Sequence, residues 1–426
     1  MRRFIFNSEP AVKPASRYGR SGEIPEPTVK SGWEKEDRYL LSTLGIFPGF
    51  FFWGEKLSMN QDIYFMQLAL DLAQKARGYT SPNPMVGAII VKNGKVIGSG
   101  FHQRAGMPHA EIIALRQVGK EAAGATMYVT LEPCAHTGRT APCTEKIIAA
   151  GIKRVVVAMT DPNPLVNGKG IKQLKAAGLE VQCGVLAQEA RQLNEAFIKY
   201  ITCKRPFSAL KTGMTLDGKI ATHTKASRWI TGAASRRYGH LLRHQYDAIM
   251  VGIGTVLADD PRLNTRLPGG GNDPLRVIID STAKIPLTAR VISENPERTI
   301  IATTEAADKK KIAALRAKGV EIISLPPTAE GKVPLGEMMT VLGQKEITSV
   351  LVEGGSTLNF ALFAAGLIDK VHFFIAPLIF GGTAAPTPVG GKGVATVEEA
   401  WRLTNVNYDF YEDDILITGY VQYTRN

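Results

Sequence analysis

Cysteine is scarce: Cys134, Cys143, Cys183 and Cys203 are the only four in 426 residues. That excludes a disulfide-stapled fold for a chain this long and points to a reducing compartment, the cytoplasm. No run of 18 apolar residues occurs, so no transmembrane helix is expected. Neither core-forming nor charged residues are depleted, at 44% and 21%, which excludes a wholly disordered or fibrous chain. There is no internal repeat, and the length suggests two or three domains. Acidic residues are the minority, 39 against 51 basic, for a formal charge of +12. The excess is spread along the chain. Its densest run, Lys309-Lys310-Lys311, lies in a helix-like stretch ending at Lys318-Gly319 and reads as a solvated face. No nucleic-acid partner is therefore expected, and a small phosphorylated substrate suits the bias equally well.

Residues 1–58 carry Pro10, Pro14, Pro25, Pro27 and Pro48 among charges of both signs, with one short interrupted apolar run at 46–53. They read as a poorly ordered extension and not as a signal peptide, and Met59 is an alternative start. From there helix and strand alternate. Ile63, Met66, Leu70 and Ala73 mark one helix face; 86–91 reads as a strand turning at Asn93-Gly94 into Val96-Ile97. Strands at 127–131, 155–159 and 179–182 alternate with helices at 109–118, 143–150 and 172–177, predicting a three-layer α/β domain with a largely parallel sheet. A helix over 188–200 closes this unit, and Lys204-Arg205-Pro206 opens a second, giving domains 59–203 and 204–426. Strands in the second are expected at 207–211, 248–251, 276–279, 299–302, 320–324, 349–352, 371–375 and 415–423, the last two as an antiparallel edge.

The most informative cluster is His109-Ala110-Glu111 with Pro133-Cys134 and Pro142-Cys143. One imidazole and two thiolates make a three-ligand tetrahedral zinc site with its fourth position free for water. Glu111, two residues beyond His109 at a helix start, is placed to move protons. Cys143 also heads a helix, where the dipole favours thiolate. Zinc deaminases use this constellation, with H-x-E followed by P-C-x-x-C. Here eight residues separate the cysteines instead of two. A purely structural site needs a fourth protein ligand, for which His136 is the candidate.

That spacer, Cys134-Ala135-His136-Thr137-Gly138-Arg139-Thr140-Ala141-Pro142-Cys143, together with Ser81-Pro82-Asn83-Pro84-Met85-Val86-Gly87 and 106–111, closely resembles the pyrimidine deaminases of riboflavin biosynthesis. Ala141 departs from the second proline more usual there. Thr212-Gly213-Met214-Thr215-Leu216-Asp217-Gly218-Lys219, Ser227-Arg228-Trp229-Ile230-Thr231, Ala258-Asp259-Asp260-Pro261 and Val352-Glu353-Gly354-Gly355 look like the reductase half of the same bifunctional family, whose fold is similar to dihydrofolate reductase. The resemblance implies a cytidine-deaminase-like domain followed by a dihydrofolate-reductase-like α/β domain. The implied substrate is 2,5-diamino-6-(5-phosphoribosylamino)pyrimidin-4-one, deaminated and then reduced by NADPH at the ribosyl group, in a homo-oligomer. It implies substrate contacts for Asn83, His102 and Arg139 in the deaminase, and for Ser227, Arg243, Leu263, Arg266 and Glu353 in the reductase. NADPH would meet Gly213, Trp229, Thr255, Asp259, Ser281, Gly355, Ser356, Thr357, Leu358, Asn359, Phe360 and Ala361.

The residues alone leave alternatives open: Asn83 as a turn residue, Arg139 and Arg243 as surface charges, Trp229 as a core aromatic. The glycine turns at 252–254 and 354–355, each following a strand, suit a phosphate, yet neither is a G-x-G-x-x-G fingerprint. A nucleic-acid-acting deaminase with a C-terminal binding module is the competing reading.

Overall fold

A computed structural model describes residues 61–135, 142–164 and 166–423. The extension 1–58, His136 and Arg139 lie outside the described residues. The first half runs α1 (Gln61–Gln74), β1 (Gly87–Lys92), β2 (Lys95–Phe101), α2 (Ala110–Val118), β3 (Thr126–Val129), α3 (Cys143–Ala149), β4 (Arg154–Val157), α4 (Lys169–Ala176), β5 (Glu180–Cys183), α5 (Ala187–Leu193) and α6 (Glu195–Cys203). Its sheet order is β2-β1-β3-β4-β5. One core joins α1 and α5 to one face, and a second joins α2, α3 and α4 to the other, giving the three layers expected. On α1 the buried stripe is Phe65, Met66, Ala69, Leu70 and Ala73, each larger side chain worth about 1.5–3 kcal/mol on burial. Ile63, expected on that face, is exposed; the stripe starts at Phe65, whose ring meets Tyr128.

The sheet is less parallel than expected. β1 is antiparallel to both β2 and β3, and only β3-β4-β5 run parallel. Asn93 and Gly94, with φ of 52° and 73°, close the tight hairpin that reverses β1. The crossover through α2 then sets β3 on the far side of β1. The expected helix over 188–200 is also two helices. Asn194 breaks it, its amide accepting from Met85 N–H at 2.8 Å and donating to the Met85 carbonyl at 3.0 Å.

The second half comprises β6 (Phe207–Thr215), α7 (Ala233–Gln245), β7 (Ala248–Gly252), α8 (Ile253–Asp259), β8 (Leu275–Ile279), α9 (Arg290–Ser293), β9 (Thr299–Thr304), α10 (Lys309–Ala317), β10 (Glu321–Leu325), α11 (Leu335–Gln344), β11 (Ser349–Val352), α12 (Ser356–Ala364), β12 (Lys370–Ala376), β13 (Arg402–Tyr411) and β14 (Asp414–Gln422). Its nine strands order β10-β9-β8-β7-β11-β6-β12-β14-β13, parallel as far as β12. The antiparallel end is present but differs from expectation. β12 lies between β6 and β14, and the edge is β13, hidden from sequence by its polar, largely exposed composition. Helices α11 and α12 cover one face, α8, α9 and α10 the other. Among the described residues no helix is long and apolar enough to cross a membrane.

Candidate active sites

His109 stands at the N-cap of α2 with an extended backbone, φ −68° and ψ 159°, and its side chain makes no cap hydrogen bond. The ring turns instead toward two sulfurs. Nδ1 lies 3.2 Å from Cys143 Sγ and 3.7 Å from Cys134 Sγ, and the three donor atoms all fall within 4.8 Å of one another. One nitrogen and two sulfurs this close suit a tetrahedral zinc ion, so the residues present fit that metal. The start of α3 acts on Cys134 as well as on Cys143. The Cys143 N–H, first of α3, donates to Cys134 Sγ at 3.4 Å. Cys134 is held low, to about 4, first by the hydrogen bond from the Cys143 thiol and further by His109. The same hydrogen bond, with burial, pushes Cys143 up.

Glu111 sits in the first turn of α2, 3% exposed, and burial raises its pKa. Its placement depends on how tightly α2 meets β2: a Cβ on Gly100 would lie 2.5 Å from the Ala110 carbonyl. Glu111, His109 and Cys134 line a cleft of about 380 Å3 together with Asn83, His102, Asp161, and Tyr200 and Lys204 at the end of the first half. Asn83 Nδ2 lies 3.1 Å from His102 Nε2, and the His102 ring meets that of His109 edge-on at 5.6 Å. Burial lowers the His102 pKa, favouring the neutral ring.

Glu132 escaped the sequence reading. It is buried, and its carboxylate accepts backbone N–H bonds from Asp161, Gly168, Gly170 and Ile171 at 2.8–3.2 Å. The backbone at Asp161 and at 168–171 is thereby fastened beside Pro133, whose carbonyl a Cβ on Gly170 would meet at 2.0 Å. Nothing local in sequence marks this role, because the partners lie 29 to 39 residues on.

In the second half the site gathers at the C-terminal ends of adjacent parallel strands. The Arg243 guanidinium, from α7, grips Glu353 beyond β11 through Nε (2.8 Å) and NH2 (2.9 Å), and donates through NH1 to the Asn264 carbonyl. Lys211 of β6 stands 3.8 Å from the same carboxylate. Burial opposes ionisation of Glu353, but Arg243 and Lys211 outweigh it and hold the pKa down to about 2. The surface-charge reading of Arg243 is thus excluded; its fork is committed to Glu353. Arg266 is exposed, anchored to Asn264 Oδ1 at 2.8 Å. His240, one turn before Arg243, and Lys211 were both missed. A lysine closing a buried strand run was the available signal for the latter.

The two glycine turns meet, as their neighbouring strands require. Thr255 Oγ1 lies 3.7 Å from where a Gly355 Cβ would stand, and a Gly354 Cβ would come 2.7 Å from Asn359 Oδ1. Gly355, the N-cap of α12, makes no side-chain cap bond, and the first N–H groups of a helix suit a dinucleotide phosphate. Trp229 is 66% exposed with Arg236 over its ring at 4.7 Å, so it is no core aromatic. Ser227 Oγ lies 3.4 Å from Asp259 Oδ1. Gly213 backs onto Thr231, and the Ser281 hydroxyl accepts from Val333 N–H. Along the expected run 355–361 the side chains differ in exposure. Leu358 and Asn359 are buried, Phe360 packs on Gly391 and Trp401, and Ala361 lies one helical turn beyond Thr357. Leu263 is 2% exposed within the core, leaving only its backbone for a ligand.

Fold and sites together define a class: a cytidine-deaminase-like metal domain joined to an α/β reductase domain. Residues 59–159 match the family model of the cytidine and deoxycytidylate deaminase zinc-binding region, and residues 206–416 that of the RibD C-terminal domain. Riboflavin biosynthesis protein RibD of Aquifex aeolicus is 44% identical over 356 residues, 84% of this chain and 97% of that protein. Its counterpart in Escherichia coli is 43% identical over 336 residues, 76% and 90% of the two chains. Among solved structures, RibD of Acinetobacter baumannii matches with a TM-score of 0.77 at 39% identity, covering 85% of this chain and 99% of that one. A diaminohydroxyphosphoribosylaminopyrimidine deaminase/5-amino-6-(5-phosphoribosylamino)uracil reductase of Thermotoga maritima matches at 0.74, with the same identity and coverage. The chain belongs to the RibD family of bifunctional riboflavin biosynthesis enzymes, a zinc-dependent deaminase fused to an NADPH-dependent reductase. A nucleic-acid-binding second half is not favoured, since that half matches a reductase domain.

Proposed function

We propose that the chain performs two successive reactions on one phosphorylated pyrimidine. Domain 59–203 hydrolyses the amino group of 2,5-diamino-6-(5-phosphoribosylamino)pyrimidin-4-one, and domain 204–426 reduces the ribosyl group of the product to ribityl. The observation that carries this is the convergence of His109, Cys134 and Cys143 beside Glu111 in one open cleft. Bound by those three residues, zinc supplies Lewis-acid activation of water. Glu111 takes the proton that the water loses and delivers it to the departing nitrogen, so a C–N bond is exchanged for C–O and ammonia leaves. Asn83 and neutral His102 orient the ring, and Arg139 takes part in phosphate binding. In the reductase NADPH supplies hydride. The turns at Thr255 and at Gly355, Ser356 and Thr357 hold its phosphates, with Gly213, Trp229, Asp259 and Ser281 around the rest. Glu353, oriented by Arg243, together with Ser227 and the Leu263 backbone, holds the sugar. Arg266 meets its phosphate, since Arg243 is already paired. The enzyme works in the cytoplasm as a homo-oligomer, without a nucleic-acid partner.

The test is product mass after incubation with the diaminopyrimidine. Deamination alone is expected without NADPH, and deamination plus two added hydrogens with it. Recovery of unchanged substrate in both cases refutes the reading.

A further inference from the structure

Helix α6 is unusual in its packing. Phe197, Tyr200 and Ile201 give it an apolar stripe at i, i+3 and i+4, yet none of its residues is buried. An amphipathic helix ordinarily closes such a stripe against a core. Here the stripe lines the cleft that holds His109 and Glu111, and Lys204, one turn past Tyr200, continues along it. The helix is fixed as a wall from both ends and from the second half. Asn194 ties its start to Met85, Lys199 pairs with Asp369 at 2.7 Å, and Glu195 pairs with Lys370 at 3.0 Å. The Lys204 carbonyl packs so closely that a Cβ on Gly343 would lie 2.1 Å away.

Charge makes Lys204 distinctive. Among the described residues it is the only lysine or arginine lining this cleft, which also presents Glu111, Glu132, Asp161 and Glu346. Glu132 is occupied by four N–H groups, whereas Glu346 reaches the cleft from the second half. A phosphate entering between acidic groups needs a cation at the mouth, and the Lys204 ammonium rests over the Tyr200 ring, 5.3 Å from its centroid. None of these wall residues falls within the matched deaminase segment 59–159. The wall therefore lies outside the part shared with cytidine deaminases, where a phosphoribosyl group would need its own recognition.

We propose that α6 is the substrate-recognition wall of the deaminase cleft, with Phe197 and Tyr200 against the pyrimidine and sugar and Lys204 binding the 5-phosphate. This rests on the deaminase reading above. The test compares ammonia release from the phosphorylated substrate and from its dephosphorylated ribosylamino counterpart, in the unaltered protein, Lys204→Glu and Lys204→Arg. The preference for the phosphorylated substrate, as a ratio of kcat/KM, is expected to fall about tenfold or more in Lys204→Glu, through KM, and largely to survive in Lys204→Arg. Zinc content and reductase turnover of the same preparations report folding. An unchanged ratio in Lys204→Glu, or an equal loss on both substrates, overturns the proposal. Failure of the underlying reading shows separately, as no ammonia from the unaltered protein.

Discussion

The two sites hold charge by opposite means. In the deaminase cleft His109, Glu111 and Cys143 stand at the starts of α2 and α3, where backbone N–H groups and burial tune them, and with Cys134 the donors converge as a zinc site requires. In the reductase the key groups stand at strand ends and on α7, and the charges neutralise one another: Glu353 is gripped by Arg243 with Lys211 beside it. The first site is completed by a metal. The second is a closed polar network, and the turn proposed for the cofactor follows Glu353 directly. Changes in the first should therefore cost chemistry, and changes in the second should also cost stability.

The sharpest break of that comparison is Glu111→Gln. Loss of the proton carrier is expected to cut ammonia release by about 10²–10⁴-fold. One zinc per chain and NADPH oxidation with the deaminated substrate should persist. Metal analysis and the two assays on one preparation check this; simultaneous loss of both activities would mean that the sites are not separable.

Arg243→Met attacks the other pole. It strands a buried carboxylate, 13% exposed at the side chain, and is expected to cost about 3–5 kcal/mol as well as reductase activity. The pH dependence has a definite sign. Glu353 is depressed from its ordinary 4.5 to about 2, so its stabilisation is fully present above about pH 4.5 and is lost as pH falls toward 2. The difference in stability between the unaltered protein and Arg243→Met should thus be widest near neutrality and narrow on acidification. Urea midpoints at pH 7, 5 and 4 measure it, and a constant difference would show that the ion pair is not its source.

The same contrast governs what could be read from the chain. His109, Glu111 and Cys143 were legible because each stands at the start of a helix, and Cys134 because its Pro-Cys pair matches that of Pro142-Cys143; the motif's residue types, not local spacing, marked their convergence. Glu132, Lys211 and His240 were not, because an acidic residue before Pro133 or a lysine closing a strand acquires its role only from partners far along the chain. Strand positions were recovered from apolar runs, yet the direction of β1 and the outer place of β13 depend on crossovers and on a polar edge. The break at Asn194 is likewise tertiary: in isolation the pattern over 188–200 is continuous helix, and the Met85 backbone overrides it. Leu263 shows the converse limit, a residue assigned to a ligand by resemblance whose side chain the fold claims for its core.

The smallest expected effect tests whether the two regions behave as one body. The segment carrying Asn83 also touches the reductase half. Ser81 Oγ donates to Asp247 Oδ2 at 2.8 Å, Asn272 Nδ2 donates to the Gly78 carbonyl at 2.6 Å, and Tyr79 meets His244 edge-on at 5.0 Å. Asp247 in turn accepts from the Thr348 N–H and hydroxyl and from the Ser349 N–H, at the start of β11. Ser81→Ala removes that exposed bond and the longer, 3.2 Å contact of the same hydroxyl with Thr348 Oγ1. A loss of about 0.5 kcal/mol is expected, at the low end for a hydrogen bond because water can replace it. If the halves unfold together, scanning calorimetry should show a single transition lowered by about 1 °C. If it shows two transitions of which only one moves, the contacts between the regions are too weak to couple them, and the contrast drawn above becomes one between independent domains.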